Sequence, residues 1–207
     1  MRINRVNREI SLKVVYFGPG LGGKTTNLLK LHAAYSAAQR GELVRLDTET
    51  ERTLFFDYFP LDFGTVGGHR IRFDFFTVPG QSFYQNTRQA VLEGVDGIVF
   101  VADSSPDRED ANLVSHEDLV RMLDSRGRDF VKVPCVYQWN KRDVRGALPV
   151  STLNRTLNHR NAPTFEAVAS KGDGVWDTQA AVVRIVVEAL RTGSAARKPS
   201  TEGAAVG

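Results

Sequence analysis

The sequence predicts a three-layer α/β domain around a mainly parallel sheet. Three observations carry this: strand-like apolar runs alternate with stretches of helical spacing, the first alternation passes through a glycine-rich turn, and the central apolar runs end in polar turn residues. Ser11 to Phe17 (SLKVVYF) reads as a strand running into GPGLGG. Thr25 to Gln39 follows with Leu28, Leu29, His32, Tyr35 and Ala38 at helical spacing. His69 to Val78 (HRIRFDFFTV) alternates charged and apolar residues in its first half, as a strand exposed on one side does, and Gly67-Gly68 before it favours a hairpin. Ile98 to Ala102 and Pro134 to Trp139 have the uninterrupted apolar character of central parallel strands. Asp110 to Leu123 and Val175 to Leu190 carry apolar helical faces, and Thr164 to Ala169 makes a last strand. In such a sheet, ligands bind at the carboxyl ends of the strands.

The chain has 207 residues, 42% hydrophobic and 25% charged, which suits one folded domain and excludes wholesale disorder. Residues 1–8 read as an N-terminal extension, 9–192 as the domain, and 193–207 (GSAARKPSTEGAAVG) as a disordered tail. The formal charge of +3 sits at the ends: residues 1–13 contribute +3 and 191–207 contribute +2, leaving −2 for the body. A nucleic-acid surface is therefore not expected, because such binding needs a basic patch on the folded domain itself. The single cysteine, Cys135, lies in the apolar run PCVYQW and reads as a buried structural thiol. No run is long enough to span a bilayer, and no apolar leader or lipidation motif is found, so a cytoplasmic protein without a lipid anchor is expected.

Gly18-Pro-Gly-Leu-Gly-Gly23-Lys24-Thr25 satisfies G-x-x-x-x-G-K-[ST] between a strand and a helix, the context that motif requires. Gly18, Gly20, Leu21, Gly22 and Gly23 bring backbone N–H groups around phosphate, and Lys24 reaches the β and γ phosphates. Thr25 offers a hydroxyl to Mg²⁺, and Thr26 beside it is counted among the nucleotide-binding residues. The same glycines spell G-x-G-x-x-G, so a dinucleotide oxidoreductase is a competing reading. It wants an acidic residue about 20 positions on at a strand end, and gives a Lys-Thr pair no role. The second constellation is Asn140-Lys141-Arg142-Asp143, directly after an apolar strand. A carboxylate at Asp143 can accept from N1–H and N2–H₂ of guanine, a donor pair adenine lacks. Asn140 would tie this loop to the phosphate loop, and the Lys141 stem would cover the base. Alone NKRD is an ordinary polar turn; with a phosphate loop it becomes a guanine-nucleotide signature.

With these motifs the chain resembles the Ras-like small GTPases, and among them the bacterial MglA polarity and gliding-motility GTPases. GPGLGGKTTNL, TETERTLFFDYFPL, FTVPGQSFY, GVDGIVFVADS, QWNKRD, LNHRNAP and AVASKGDGV occur in the same order over residues 9 to 192. The resemblance implies a Rossmann-like P-loop domain that binds GTP or GDP with Mg²⁺ and hydrolyses GTP, its two switch segments responding to the γ phosphate. It implies that Thr53 joins Thr25 as a metal ligand, and that Arg52 acts as a built-in arginine finger. Gln81 would orient the attacking water, the Gly80 N–H would meet the γ phosphate, and the Ala169 N–H would read guanine O6. It also implies a Roadblock-type GTPase-activating dimer, state-specific effectors, a monomer in the GDP state, and recruitment to a cell pole or membrane surface by partners.

The chain departs from the wider pattern at Thr77-Val78-Pro79-Gly80, where Ras-like proteins have D-x-x-G. A neutral hydroxyl stands in place of the carboxylate that holds Mg²⁺ through water. Asp57 and Asp74 are the available substitutes; a regular strand turns Asp74 away from Thr77. Phe55, Phe56, Tyr58, Phe59 and Phe63 cluster beside the first switch, as strand core or as a state-dependent partner surface. None of the four histidines has metal-ligand spacing. A nucleotide-loaded scaffold with little or no hydrolysis is the alternative to a hydrolysing switch.

Overall fold

Alternation along one strand decides the layering. The computed structural model describes residues 1–46, 56–79 and 85–195. In chain order its main elements are β1 (Arg2–Asn4), β2 (Glu9–Phe17), α1 (Lys24–Ala34), β3 (Val44–Leu46), β4 (Phe56–Val66), β5 (His69–Thr77) and α2 (Gln85–Leu92). β6 (Gly97–Asp103), α3 (Glu109–Asp124), β7 (Cys135–Asn140), α4 (Val150–Leu157), β8 (Thr164–Glu166) and α5 (Val175–Ala195) follow. On β2, Leu12, Val14 and Tyr16 pack with Leu28 and Leu31 of α1 and with Val182 and Val186 of α5. Val15 and Phe17 face the other way, into a core that includes Val91 of α2, Leu119 and Leu123 of α3, and Leu153 and Leu157 of α4. A period of two with both faces apolar forces helices onto both sides, which is the three-layer arrangement expected.

The sheet runs β3-β4-β5-β2-β6-β7-β8. β2 pairs in parallel with β5 and β6, as do β6 with β7 and β7 with β8, while β4 and β5 form the antiparallel hairpin expected at Gly67-Gly68. Connections from β2 lead to opposite sides of it, so the strand order reverses there and a crevice opens at the carboxyl ends of β2 and β6.

Several bounds differ from the sequence reading. Residues 2–4 are part of the sheet: β1 pairs antiparallel with the start of β2. α1 ends at Ala34, because Tyr35 turns extended and the chain is drawn onto β4. Gly41 N donates to Pro60 O, Asp62 N to Gln39 O, and Arg40 bridges to Leu61. β8 stops at Glu166, after which Val168 bridges to Asp173. α5 continues through Ala195, past the expected domain end. Phe59 is fully buried against Phe75, and Phe56 and Tyr58 pack on Phe76 from the opposite face; Phe63 is partly exposed against Phe73. Phe55 lies outside the described residues. Cys135 is buried, and burial pushes its thiol up to about 12. Among the described residues no helix is long and apolar enough to cross a membrane.

Candidate functional site

The glycine loop lies in the crevice, between the end of β2 and the start of α1. Gly18 has φ +148°, and a side chain there would run into the carbonyl oxygen of Val101 on β6. Gly23 is left-handed at φ +98°, and a Cβ would meet the Asn140 amide. The loop can therefore press against β6 and β7 only as glycine. Gly23 caps α1 with no side-chain hydrogen bond, so the N–H groups of the first turn stay open toward the loop. Lys24 is buried, and its ammonium donates to Gly18 O at 2.9 Å and Pro19 O at 2.7 Å. Burial pushes its pKa down to about 7; Arg88 and Arg108 add repulsion, which Asp57 partly offsets.

The NKRD loop meets this cradle from β7. Asn140, buried at the strand end, donates through Nδ2 to Gly22 O at 2.8 Å and accepts through Oδ1 from Ala169 N at 2.9 Å. The N–H expected to read guanine is thus engaged by Asn140 in this structure. Lys141 has a left-handed backbone, φ +63°, and its ammonium donates to Asp103 Oδ2 at 2.6 Å. Asp143 is partly exposed, with Lys171 Nζ 3.4 Å away. One side chain, Asn140, therefore touches both the phosphate loop and the segment at Ala169.

A third cluster lies at the start of α1. Thr25 Oγ1 donates to Asp57 Oδ2 at 2.6 Å, and Thr77 Oγ1 donates to the same oxygen at 3.0 Å while accepting from Asp57 N at 2.9 Å. Arg45 Nε stands 3.7 Å from Asp57 Oδ1. One carboxylate between two hydroxyls is a hard oxygen donor set of the kind Mg²⁺ takes. Asp74 is committed elsewhere: it accepts from Arg72 Nε at 2.8 Å and Tyr58 Oη at 3.1 Å. The β4–β5 pairing explains why the nearer carboxylate comes from β4, since Asp57 and Thr77 sit one step beyond the paired Tyr58 and Phe76.

Arg52, Thr53, Gly80 and Gln81 lie outside the described residues. Two residues that the sequence reading did not single out also border the loop. Arg108, just before α3, donates to Gly20 O at 2.6 Å, and Asp103 ends β6 with a carboxylate 1% exposed. The available signal for Asp103 was an acid closing the otherwise apolar run GIVFVAD. On α2, Arg88 is buried against Asp118 at 2.6 Å and over the Phe17 ring.

Residues 2–186 match the model of the ADP-ribosylation factor family. The chain is also 49% identical, over 191 residues, to the mutual gliding-motility protein MglA of Myxococcus xanthus (strain DK1622). That alignment covers 92% of this chain and 98% of the relative.

Proposed function

The chain belongs to the ADP-ribosylation factor family of small GTPases, and from that premise we propose that it is a GTP-hydrolysing switch of cell polarity or gliding motility. The observation that supports this reading is the Asn140 bridge, because one buried side chain ties the glycine loop at Gly22 to the loop after β7 and to the segment at Ala169. N–H groups from Gly20 to Thr26 receive the phosphates, that of Gly22 leaving its bond to Pro19 O, and Lys24 exchanges its two carbonyl partners for β- and γ-phosphate oxygens. Asp143 selects guanine, the Lys141 stem covers the ring, and the Ala169 N–H turns from Asn140 to O6.

Thr25 and Thr53 hold Mg²⁺, with Asp57 supplying the carboxylate that position 77 lacks. The ion, when bound, neutralises charge on the phosphoryl oxygens. Arg52 adds a guanidinium to the same charge, Gln81 orients the attacking water, and Gly80 senses the γ phosphate. Hydrolysis without a partner is slow, because the placement of Gln81 and Arg52 depends on that partner; enzymes without a finger turn over at about 10⁻⁴ per second. A Roadblock-type dimer speeds hydrolysis, effectors bind the GTP state, and the GDP state is a monomer in the cytoplasm, recruited by partners to a pole or membrane surface.

Displacement of fluorescent GDP tests the binding half of this reading: GTP competes and ATP and NADH do not. Single-turnover hydrolysis tests the rest, with Arg52→Ala and Gln81→Leu each slowing GTP loss about tenfold or more. Equal competition by ATP overturns the role of Asp143, and a wild-type chain that retains GTP indefinitely even with the activating dimer is a scaffold.

A further inference from the structure

A second strap joins the two loops on the outside of the site, and its centre is a buried acid. The Asp103 carboxylate accepts through Oδ1 from Ser105 N at 3.0 Å and Ser105 Oγ at 2.8 Å. Its Oδ2 accepts from Lys141 Nζ at 2.6 Å and lies 3.7 Å from Arg108 Nε. The two cations come from different places: Lys141 belongs to the loop after β7, and Arg108 grips the phosphate loop through Gly20 O at 2.6 Å. The acid itself cannot follow either of them. Asn112 of α3 accepts from Asp103 N at 2.9 Å and donates to Asp103 O at 2.8 Å, so both backbone groups are pinned. Burial alone would raise the carboxyl's pKa, but the hydrogen bonds from Lys141 and Ser105 outweigh it and hold the group ionised.

We propose that Asp103 is a positioning residue for nucleotide retention: a fixed anionic post that holds Lys141 toward the base and Arg108 against the phosphate loop, so that contacts at the two ends of the nucleotide are made and lost together. The inner strap, Asn140 to Gly22, needs no charge; the outer one is ionic and needs the post. Without the carboxylate, two cations face a buried site with no shared partner. Each then moves independently, since both cations reach solvent and only the buried acid holds them to a common point. The proposal rests on the GTP-binding reading above and deepens it.

The test is the release rate of fluorescent GDP from the Mg²⁺-loaded full chain carrying D103N, R108A, K141A and their pairs. D103N is expected to speed release about tenfold, the loss of one charge-assisted contact at each end. R108A and K141A together are expected to fall about threefold or more short of the product of their separate effects, and in the D103N background that shortfall disappears. R108K, which can still donate to Gly20 O and face the acid, recovers most of the loss in R108A. General loosening of the fold would not produce a shortfall that depends on Asp103. Release from D103N within about twofold of wild type, or effects of R108A and K141A that simply multiply, overturns the proposal. The R108A/K141A cycle on the natural Asp103 decides it if D103N does not fold. A wild-type chain that holds no GDP overturns the GTPase reading instead, so the two failures are distinguishable.

Discussion

Lys24 rests its ammonium on two backbone carbonyls, but burial, with added repulsion from Arg88 and Arg108, pushes its pKa down to about 7. A bound triphosphate favours the charged form and raises that value. Below pH 7 the lysine is charged with or without nucleotide, and affinity is insensitive to this group. Above pH 7 the free protein has lost the proton and must regain it to bind. Affinity therefore falls as pH rises, by up to about tenfold per unit, until the raised pKa is reached. Calorimetry in buffers of different ionisation enthalpy should show uptake approaching one proton at pH 8 and almost none at pH 6; release of a proton would contradict the reading. Asp57 yields a second prediction. D57N keeps the shape but removes the charge between Thr25 and Thr77, so the Mg²⁺ concentration needed to retain GDP should rise about tenfold or more in a chelator titration. The phosphate loop and NKRD were legible in the sequence because their chemistry is local. Asp57 was legible only as one of two substitutes for the missing carboxylate; its choice over Asp74 comes from the pairing of β4 with β5, which local spacing does not encode.

At the level of elements, the glycine turn is held by tight contact with neighbouring strands. Gly18→Ala places a methyl group against the Val101 carbonyl on β6, a backbone atom that cannot rotate away. It should lower the melting temperature by about 5–10 °C, corresponding to roughly 2–3 kcal/mol, and weaken GDP binding. Gly67→Ala is the control: at the hairpin turn a Cβ meets nothing within 4 Å and bears only the strain of φ +58°, so binding should be unchanged. The same distinction explains which elements were readable. β6 and β7 are buried along their whole length and announce themselves as apolar runs. α4 buries only Leu153 and Leu157 among polar neighbours, and α2 buries Arg88, which no apolar pattern reports. β1 and β3, three residues each, exist because a longer strand offers an edge. The early end of α1 is likewise a tertiary effect: backbone that continued as helix would forgo its bonds to Pro60 and Asp62.

Across the whole molecule, the three-layer order follows from the alternation on β2, and the position of the site follows from the reversal of strand order there. The layer order was legible in advance, since it depends on the succession of elements more than on their exact bounds. Charge at the chain ends was legible as composition; the buried ionic pair of Arg88 with Asp118 and the half-buried one of Lys141 with Asp103 were not, because only packing makes partners of residues so far apart in sequence. The chain's one sulfhydryl lies within the sheet, shielded and held protonated. Maleimide dyes and spin labels should thus leave the native protein untouched. A cysteine introduced at an exposed position such as Val66 would be the sole point of attachment, giving spectroscopy a clean reporter on the hairpin without stripping any natural thiol.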